Sequence, residues 1–178
     1  ITKIAHNKGI NVGFDLAHAA GNIKLELHKW GVDFAVWCSY KYLNSGPGSG
    51  AAAFVHERHH KSDLNRFAGW WGHNKETRFG MRDGFDPIPG VESWQLSNPP
   101  ILSMAAILAS LKIFEEAGIS NLRKKAIQLT SYMEFLIDDI NDDRIKIITP
   151  RNPNERGSQL HVVVHIGKLL YSFHWLFL

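Results

Sequence analysis

Apolar positions in the first third of the chain fall into short runs broken by Gly, Asn and His, the spacing of buried strands rather than of amphipathic helices. Ile10-Asn11-Val12-Gly13-Phe14 and Val32-Asp33-Phe34-Ala35-Val36-Trp37 are two such runs, and Ala51-Ala52-Ala53-Phe54-Val55 is a third whose small residues suit close packing. Residues 23 to 30 between the first two predict a crossover helix, which would make those strands the parallel pair of one βαβ unit. Residues 58 to 100 are rich in Gly, Pro, Trp and Asn with little periodicity, and long ordered loops of that kind are usually functional. From Ile101 to Ala117 the spacing turns helical, with Pro99 and Pro100 at the entry and Gly118 as the stop. A second helix follows, with Ser120 as its expected N-cap and a body reaching Ile140, until Asn141-Asp142-Asp143 breaks it. Ile145-Lys146-Ile147-Ile148 and the run from Gln159 to Val164 read as two more strands. The pattern is α/β and shows no internal repeat.

Two ionisable groups stand at the ends of predicted strands. Asp15 closes the first run, and Lys41 follows the second within Cys38-Ser39-Tyr40-Lys41-Tyr42-Leu43-Asn44-Ser45-Gly46-Pro47-Gly48-Ser49-Gly50. In a parallel pair both ends open onto the same sheet edge, where α/β folds bind ligands. A lysine among small residues can be desolvated, and its neutral amine forms a Schiff base with an aldehyde cofactor. A carboxylate alongside suits pyridoxal phosphate, whose pyridine nitrogen must stay protonated for it to act as a strong electron sink. Taken singly, the bland readings win: an N-capping Asp and a snorkelling surface Lys. The pair carries the signal.

Asp15-Leu16-Ala17-His18-Ala19-Ala20-Gly21, with Ser39-Tyr40-Lys41-Tyr42-Leu43 running into Gly46-Pro47-Gly48, resembles the class V branch of the fold-type I pyridoxal-phosphate enzymes. Within that branch the chain looks like the kynureninases. Tyr40 stands where desulfurases of the branch usually have His, and three further blocks point the same way: residues 67 to 73, residues 85 to 90, and Trp94-Gln95-Leu96-Ser97-Asn98-Pro99-Pro100. The likeness covers residues 1 to 157, and the blocks together are far more specific than any one of them.

The resemblance implies a three-layer α/β/α large domain whose second half is residues 1–140, the beginning of a small C-terminal α/β domain at 141–166, and a divergent apolar tail at 167–178. It implies pyridoxal 5'-phosphate on Lys41, Asp15 at the ring nitrogen, and His18 beside cofactor and substrate. Tyr40 would reach the cofactor phosphate, which requires the chain to bend before Lys41. Trp70 and Asn98 would line the cofactor pocket of a neighbouring subunit in a homodimer with shared sites, and Ser97 and Asn98, with His18, the substrate pocket. The implied reaction is hydrolysis of L-kynurenine or 3-hydroxykynurenine to anthranilate or 3-hydroxyanthranilate plus L-alanine, in tryptophan catabolism and NAD biosynthesis. Lys41 would serve as base at the substrate Cα, with His18 or Tyr40 assisting proton movement. A transaminase or desulfurase of the same branch fits the Trp70 and Asn98 blocks less well. The rival expectation is an inactive truncated isoform or an interaction partner of the full-length subunit, because the chain opens at Ile1 without Met and has no counterpart of the family's substrate-carboxylate arginine.

Composition changes little of this picture. The net charge is +3, but the basic residues are dispersed, and Arg123, Lys124 and Lys125 read as a solvated helix face rather than a nucleic-acid footprint. Cys38 is the single cysteine, so no disulfide framework exists, and its place in an apolar run predicts a buried inert thiol. His56, His59 and His60 lack the partners of a usual zinc spacing and read as a solvated stretch; no metal is expected. Gly46-Pro47-Gly48-Ser49-Gly50 lacks the Gly-Lys-Ser/Thr ending of a nucleotide loop, and its glycines are better read as letting the backbone pass close to the cofactor. No run is long enough to cross a bilayer, so a cytoplasmic setting without membrane contact is the default. The ending Leu176-Phe177-Leu178 is expected to be a sticky terminus.

Overall fold

The computed structural model describes residues 1–61, 64–166 and 169–176. Contacts divide the chain into one unit of residues 1–18 and 25–110, and a second of residues 19–24 and 111–178. In the first unit a short helix α1 (Thr2–His6) precedes a three-stranded sheet of β1 (Gly13–Asp15), β2 (Phe34–Cys38) and β3 (Ala51–Val55), in the order β1-β2-β3. β1 and β2 are parallel, with Gly13 opposite Phe34 and Asp15 opposite Val36, while β3 runs antiparallel to β2.

The strands are shorter than the apolar runs because Asp33 takes over their lower ends. Its carboxylate accepts from the Val12 N–H at 2.7 Å, and the Asp33 N–H donates back to the Val12 carbonyl at 3.0 Å. Val12, Leu16, Leu27, Val32, Ala35 and Tyr42 form the small core of this unit. The other face of β2 is open: Phe34 and Val36 remain 48% and 46% exposed, and the Phe34 ring lies over Gly13, where no side chain stands.

The expected crossover helix is absent. The connection from β1 to β2 consists of isolated turns, such as Ile23 N–H to Ala19 C=O at 3.1 Å and Trp30 N–H to Glu26 C=O at 2.9 Å. Gly21 (φ 83°) and Gly31 (φ 66°) adopt left-handed backbone at either side, and the nine residues between them are too few for cooperative helix propagation. Ser158 Oγ donates to Asn22 Oδ1 at 2.6 Å, which ties residues 19–24 into the second unit.

Helix α2 (Ile101–Ala117) and helix α3 (Ile119–Asp139) fall where the periodicity places them, but α3 is capped by Gly118 at φ 74° and not by Ser120, which lies inside the helix. Asn141 at φ 52° follows its end. α2 is apolar on all sides, with Ile101, Leu102, Leu108 and Ile113 exposed, a composition typical of helices that are enclosed. The second sheet is antiparallel, in the order β4 (Ile145–Ile147), β5 (Gln159–Ile166), β6 (Leu169–Leu176). β6 pairs along its whole length with β5, so most of the expected apolar tail is a strand; Gly167, Lys168, Phe177 and Leu178 lie outside the described residues.

Arg123 departs from the solvated face expected of it. Its guanidinium donates to the Pro153 and Arg156 carbonyls at 2.5 and 2.7 Å. Arg156 and Arg151 both donate to Glu134, at 2.6 and 2.7 Å; burial acts to raise the Glu134 carboxyl, but these two guanidinium groups outweigh it and hold the group below its ordinary range.

Candidate functional site

Asp15 and Lys41 emerge at the same end of the parallel pair. Leu16 N–H donates to the Val36 carbonyl at 2.8 Å, so the chain leaves β1 alongside β2, and the Asp15 carboxylate accepts from Ala17 N–H at 2.9 Å. That bond closes an Asx turn rather than capping a helix. The carboxylate is exposed and keeps acceptor capacity beyond it.

β2 ends at Cys38, and the chain bends over residues 39–41. Tyr40 is 51% exposed, and the half-buried Lys41 reaches back over it, with Nζ 5.8 Å from the ring centroid. His18 is exposed and meets the edge of the buried Tyr42 ring, centroids 6.1 Å apart at 66°. This contact joins the Asp15 turn to the Lys41 loop. The Tyr42 hydroxyl is buried with no partner, and burial raises the phenol above its ordinary pKa. The four residues Asp15, His18, Tyr40 and Lys41 therefore belong to one sheet edge.

Trp70, Ser97 and Asn98 form a second group. Two stretches of the long segment run together because Gly69 and Gly72 carry no side chain: a Cβ on Gly69 would stand 2.5 Å from the Leu96 carbonyl oxygen, and one on Gly72 2.6 Å from that of Ser93. Trp71 N–H reaches the Leu96 carbonyl at 3.4 Å. Trp70 packs edge-on to Phe79 at 5.2 Å and beside the Arg78 guanidinium at 5.4 Å; Ser97 and Asn98 are solvent-facing.

A model of the Aminotransferase class-V family matches residues 1–172. The chain belongs to that family. The match extends past residue 157, where the motif resemblance ends, and into β6. Among curated members, kynureninases from Flavobacterium psychrophilum, Koribacter versatilis and Myxococcus xanthus are 56%, 58% and 59% identical over 97%, 94% and 90% of this chain. The chain spans 38–42% of the length of these relatives. Solved structures agree on the fold: a cysteine desulfurase from Escherichia coli (TM-score 0.67, 15% identity, 90% of this chain and 37% of that one) and an alanine–glyoxylate aminotransferase from Nostoc (0.61, 20%, 93% and 41%). The chain has the α/β fold of the fold-type I enzymes, of which it forms a part.

Three features of this class-V chain were not legible in its motifs. Asp33 accepts from His6 and His59 at 2.7 and 2.8 Å and pairs with Arg58 at 3.4 Å. The histidines are thus not a solvated stretch: His59 is anchored to Asp33, His60 to the Val55 carbonyl at 3.0 Å, and His56 stacks on His28 at 4.7 Å. Cys38 is half-buried rather than enclosed. The third feature is a set of serine hydroxyls around Lys41: Ser39, Ser45 and Ser49 bond to the loop's own backbone.

Proposed function

We propose that this chain is part of a kynureninase that uses pyridoxal 5'-phosphate on Lys41. The observation that carries the proposal is the placement of Lys41 and Asp15 at one end of a parallel strand pair, in a chain with 56–59% identity to curated kynureninases.

The residues fit the cofactor chemically. Lys41 offers a half-buried amine on a tightly bonded loop, and Asp15 an exposed carboxylate one strand away, the charge a pyridinium needs. When bound, pyridoxal phosphate supplies an electron sink for a carbanion at the substrate Cα. Lys41 would hold the cofactor and, as a base, take up and return the proton at the substrate Cα. Asp15 holds the proton on the ring nitrogen. His18, packed on Tyr42, moves a proton when water adds to the aryl ketone, before the Cβ–Cγ bond breaks and alanine leaves. Tyr40 binds the phosphate. The substrates are L-kynurenine or 3-hydroxykynurenine, in tryptophan catabolism and NAD biosynthesis, in a cytoplasmic enzyme.

The likeness to kynureninases suggests a homodimer in which Trp70, Ser97 and Asn98 complete the partner's site. We also read residues 1–140 as part of the large domain and 141–166 as the start of the small one.

The test uses a chain carrying these residues at the relatives' full length, incubated with L-kynurenine and followed by anthranilate fluorescence. Wild type should yield anthranilate and retain pyridoxal phosphate on Lys41 after borohydride reduction; Lys41→Ala should do neither. A Lys41→Ala chain with near-normal turnover eliminates Lys41 as the cofactor lysine.

A further inference from the structure

The twelve residues from Ser39 to Gly50 close on themselves through three serines, each of which donates twice to one carbonyl. Ser39 gives both its N–H (3.2 Å) and its hydroxyl (2.5 Å) to Gly50 C=O. Ser45 gives its N–H (3.1 Å) and hydroxyl (2.6 Å) to Ser39 C=O, and Ser49 does the same to Gly46 C=O at 3.3 and 2.7 Å. A hydroxyl has one proton, so the three protons are shared between these carbonyls and the neighbouring serine oxygens, and each hydroxyl can also accept. The Oγ atoms lie together, Ser39 to Ser49 at 3.0 Å and Ser45 to Ser49 at 2.7 Å. Ser39 and Ser45 are 2% and 5% exposed, so water does not replace these bonds when they are lost.

Lys41 lies inside the inner ring that Ser45 closes onto Ser39. Its own carbonyl accepts from Asn44 N–H at 3.0 Å, with Asn44 in the left-handed region at φ 55°. The loop's outer side rests on α2, where Ser110 donates to the Leu43 carbonyl and Ser103 to that of Gly48 at 3.2 Å. Gly46 and Gly48, at φ 87° and 75°, supply the left-handed backbone that the turn needs.

We infer that Ser39, Ser45 and Ser49 act as one clasp that fixes the backbone of Lys41, and so where its amine stands. They are positioning residues for the reaction proposed above, on which this inference rests. Without the clasp the Lys41 stem would sample several rotamers, and the fraction in reacting geometry would fall.

The test is made on the full-length chain without cofactor, so that its outcome does not depend on turnover. Amide exchange over residues 39–50 and the pH profile of Lys41 acetylation by a small anhydride are measured for Ser39→Ala, Ser45→Ala and Ser49→Ala, with Ser103→Ala as control. Exchange within residues 39–46 should rise about tenfold in the first two variants, as loss of one buried hydrogen bond implies, and the acetylation profile should move. Ser103→Ala should alter neither. Should Ser45→Ala fail to fold, Ser49→Ala, at a half-buried position, keeps the test open: its exchange should rise over residues 46–49. Wild-type exchange and profile in all the clasp variants, or an equal effect from Ser103→Ala, overturns the clasp. A wild-type chain that fails to capture pyridoxal phosphate on Lys41 would instead refute the cofactor reading, and a raised exchange in the variants would still support the clasp.

Discussion

Asp33→Asn tests the bonding that sets where β2 begins. Asp33 is 4% exposed, and its two oxygens hold the Val12 N–H, His6 and His59 within 2.8 Å, with Arg58 Nε at 3.4 Å. An amide of the same shape turns its NH₂ toward one pair of these donors and removes the charge that faces all of them. Breaking a buried ionic cluster costs about 3–5 kcal/mol. His6 and Arg58 are 31% and 38% exposed and recover part of their hydration, so the expected loss is about 2–4 kcal/mol. For a domain of this size that corresponds to a fall of roughly 5–15 °C in the unfolding midpoint. The pH dependence has a definite sign. Burial acts to raise the Asp33 carboxyl, but the bonds from His59, His6 and the Val12 N–H outweigh it and hold the group well below the usual carboxylate range. The folded value lies below the unfolded one, so the contribution is complete above the ordinary Asp range and is lost as pH falls toward the folded value. Urea unfolding of the full-length wild type and variant at pH 7, 5 and 3 should show a large gap at the first two and a narrowing one at the third. A gap below about 0.5 kcal/mol at pH 7, or one that widens toward acid, refutes the reasoning.

Asp15→Ala should weaken kynurenine turnover far more than Asp15→Glu if the proposed role of its charge holds; if the activity loss merely tracks a stability loss of about 0.5–2 kcal/mol, its bond to the Ala17 turn is the better account. Gly69→Ala places a methyl against the Leu96 backbone, which cannot rotate away, and should cost about 1–3 kcal/mol while separating Trp70 from Ser97 and Asn98; an unchanged urea midpoint would show that the two stretches do not approach as described. The 178-residue chain by itself should give no anthranilate and should scatter light, because Phe34, Val36, Ile101 and Leu102 present apolar surface to water. Soluble monomer with bound cofactor and measurable cleavage would overturn that expectation.

The elements with a strong local signal were legible in the sequence. β3 and α2 lie where composition and periodicity place them, because a run of small and β-branched residues and a proline-to-glycine bracket are decided within a few residues. The crossover misled because its helix-compatible residues sit between Gly21 and Gly31, whose left-handed conformations cut the segment below the length at which a helix propagates. Ser120 has the residue type of a cap, but Gly118 already occupies the turn between two abutting helices, so no capping position remains for it. Such outcomes depend on which of two adjacent signals acts first along the chain, and propensity alone does not rank them.

The candidate site divides in the same way. Asp15 and Lys41 stand out because two strand ends on one edge are a consequence of topology, and topology follows from the order of elements. The serine clasp left no such trace: Ser39, Ser45 and Ser49 are ordinary loop residues until the Lys41 loop closes and brings the Ser39 and Ser45 oxygens within 3.0 Å of that of Ser49. Asp33 makes the sharper case. It is an aspartate beside a strand, as Asp15 is, yet one is buried beneath two histidines and an arginine while the other faces solvent at the carboxyl end of its strand. What separates them is the direction of the strand. Asp33 precedes β2 and Asp15 closes β1, so in a parallel pair they fall at opposite ends of the sheet, and only the carboxyl end opens onto a ligand. An acidic residue in a parallel strand pair is therefore a candidate for chemistry when it follows its strand and a candidate for anchoring when it precedes it.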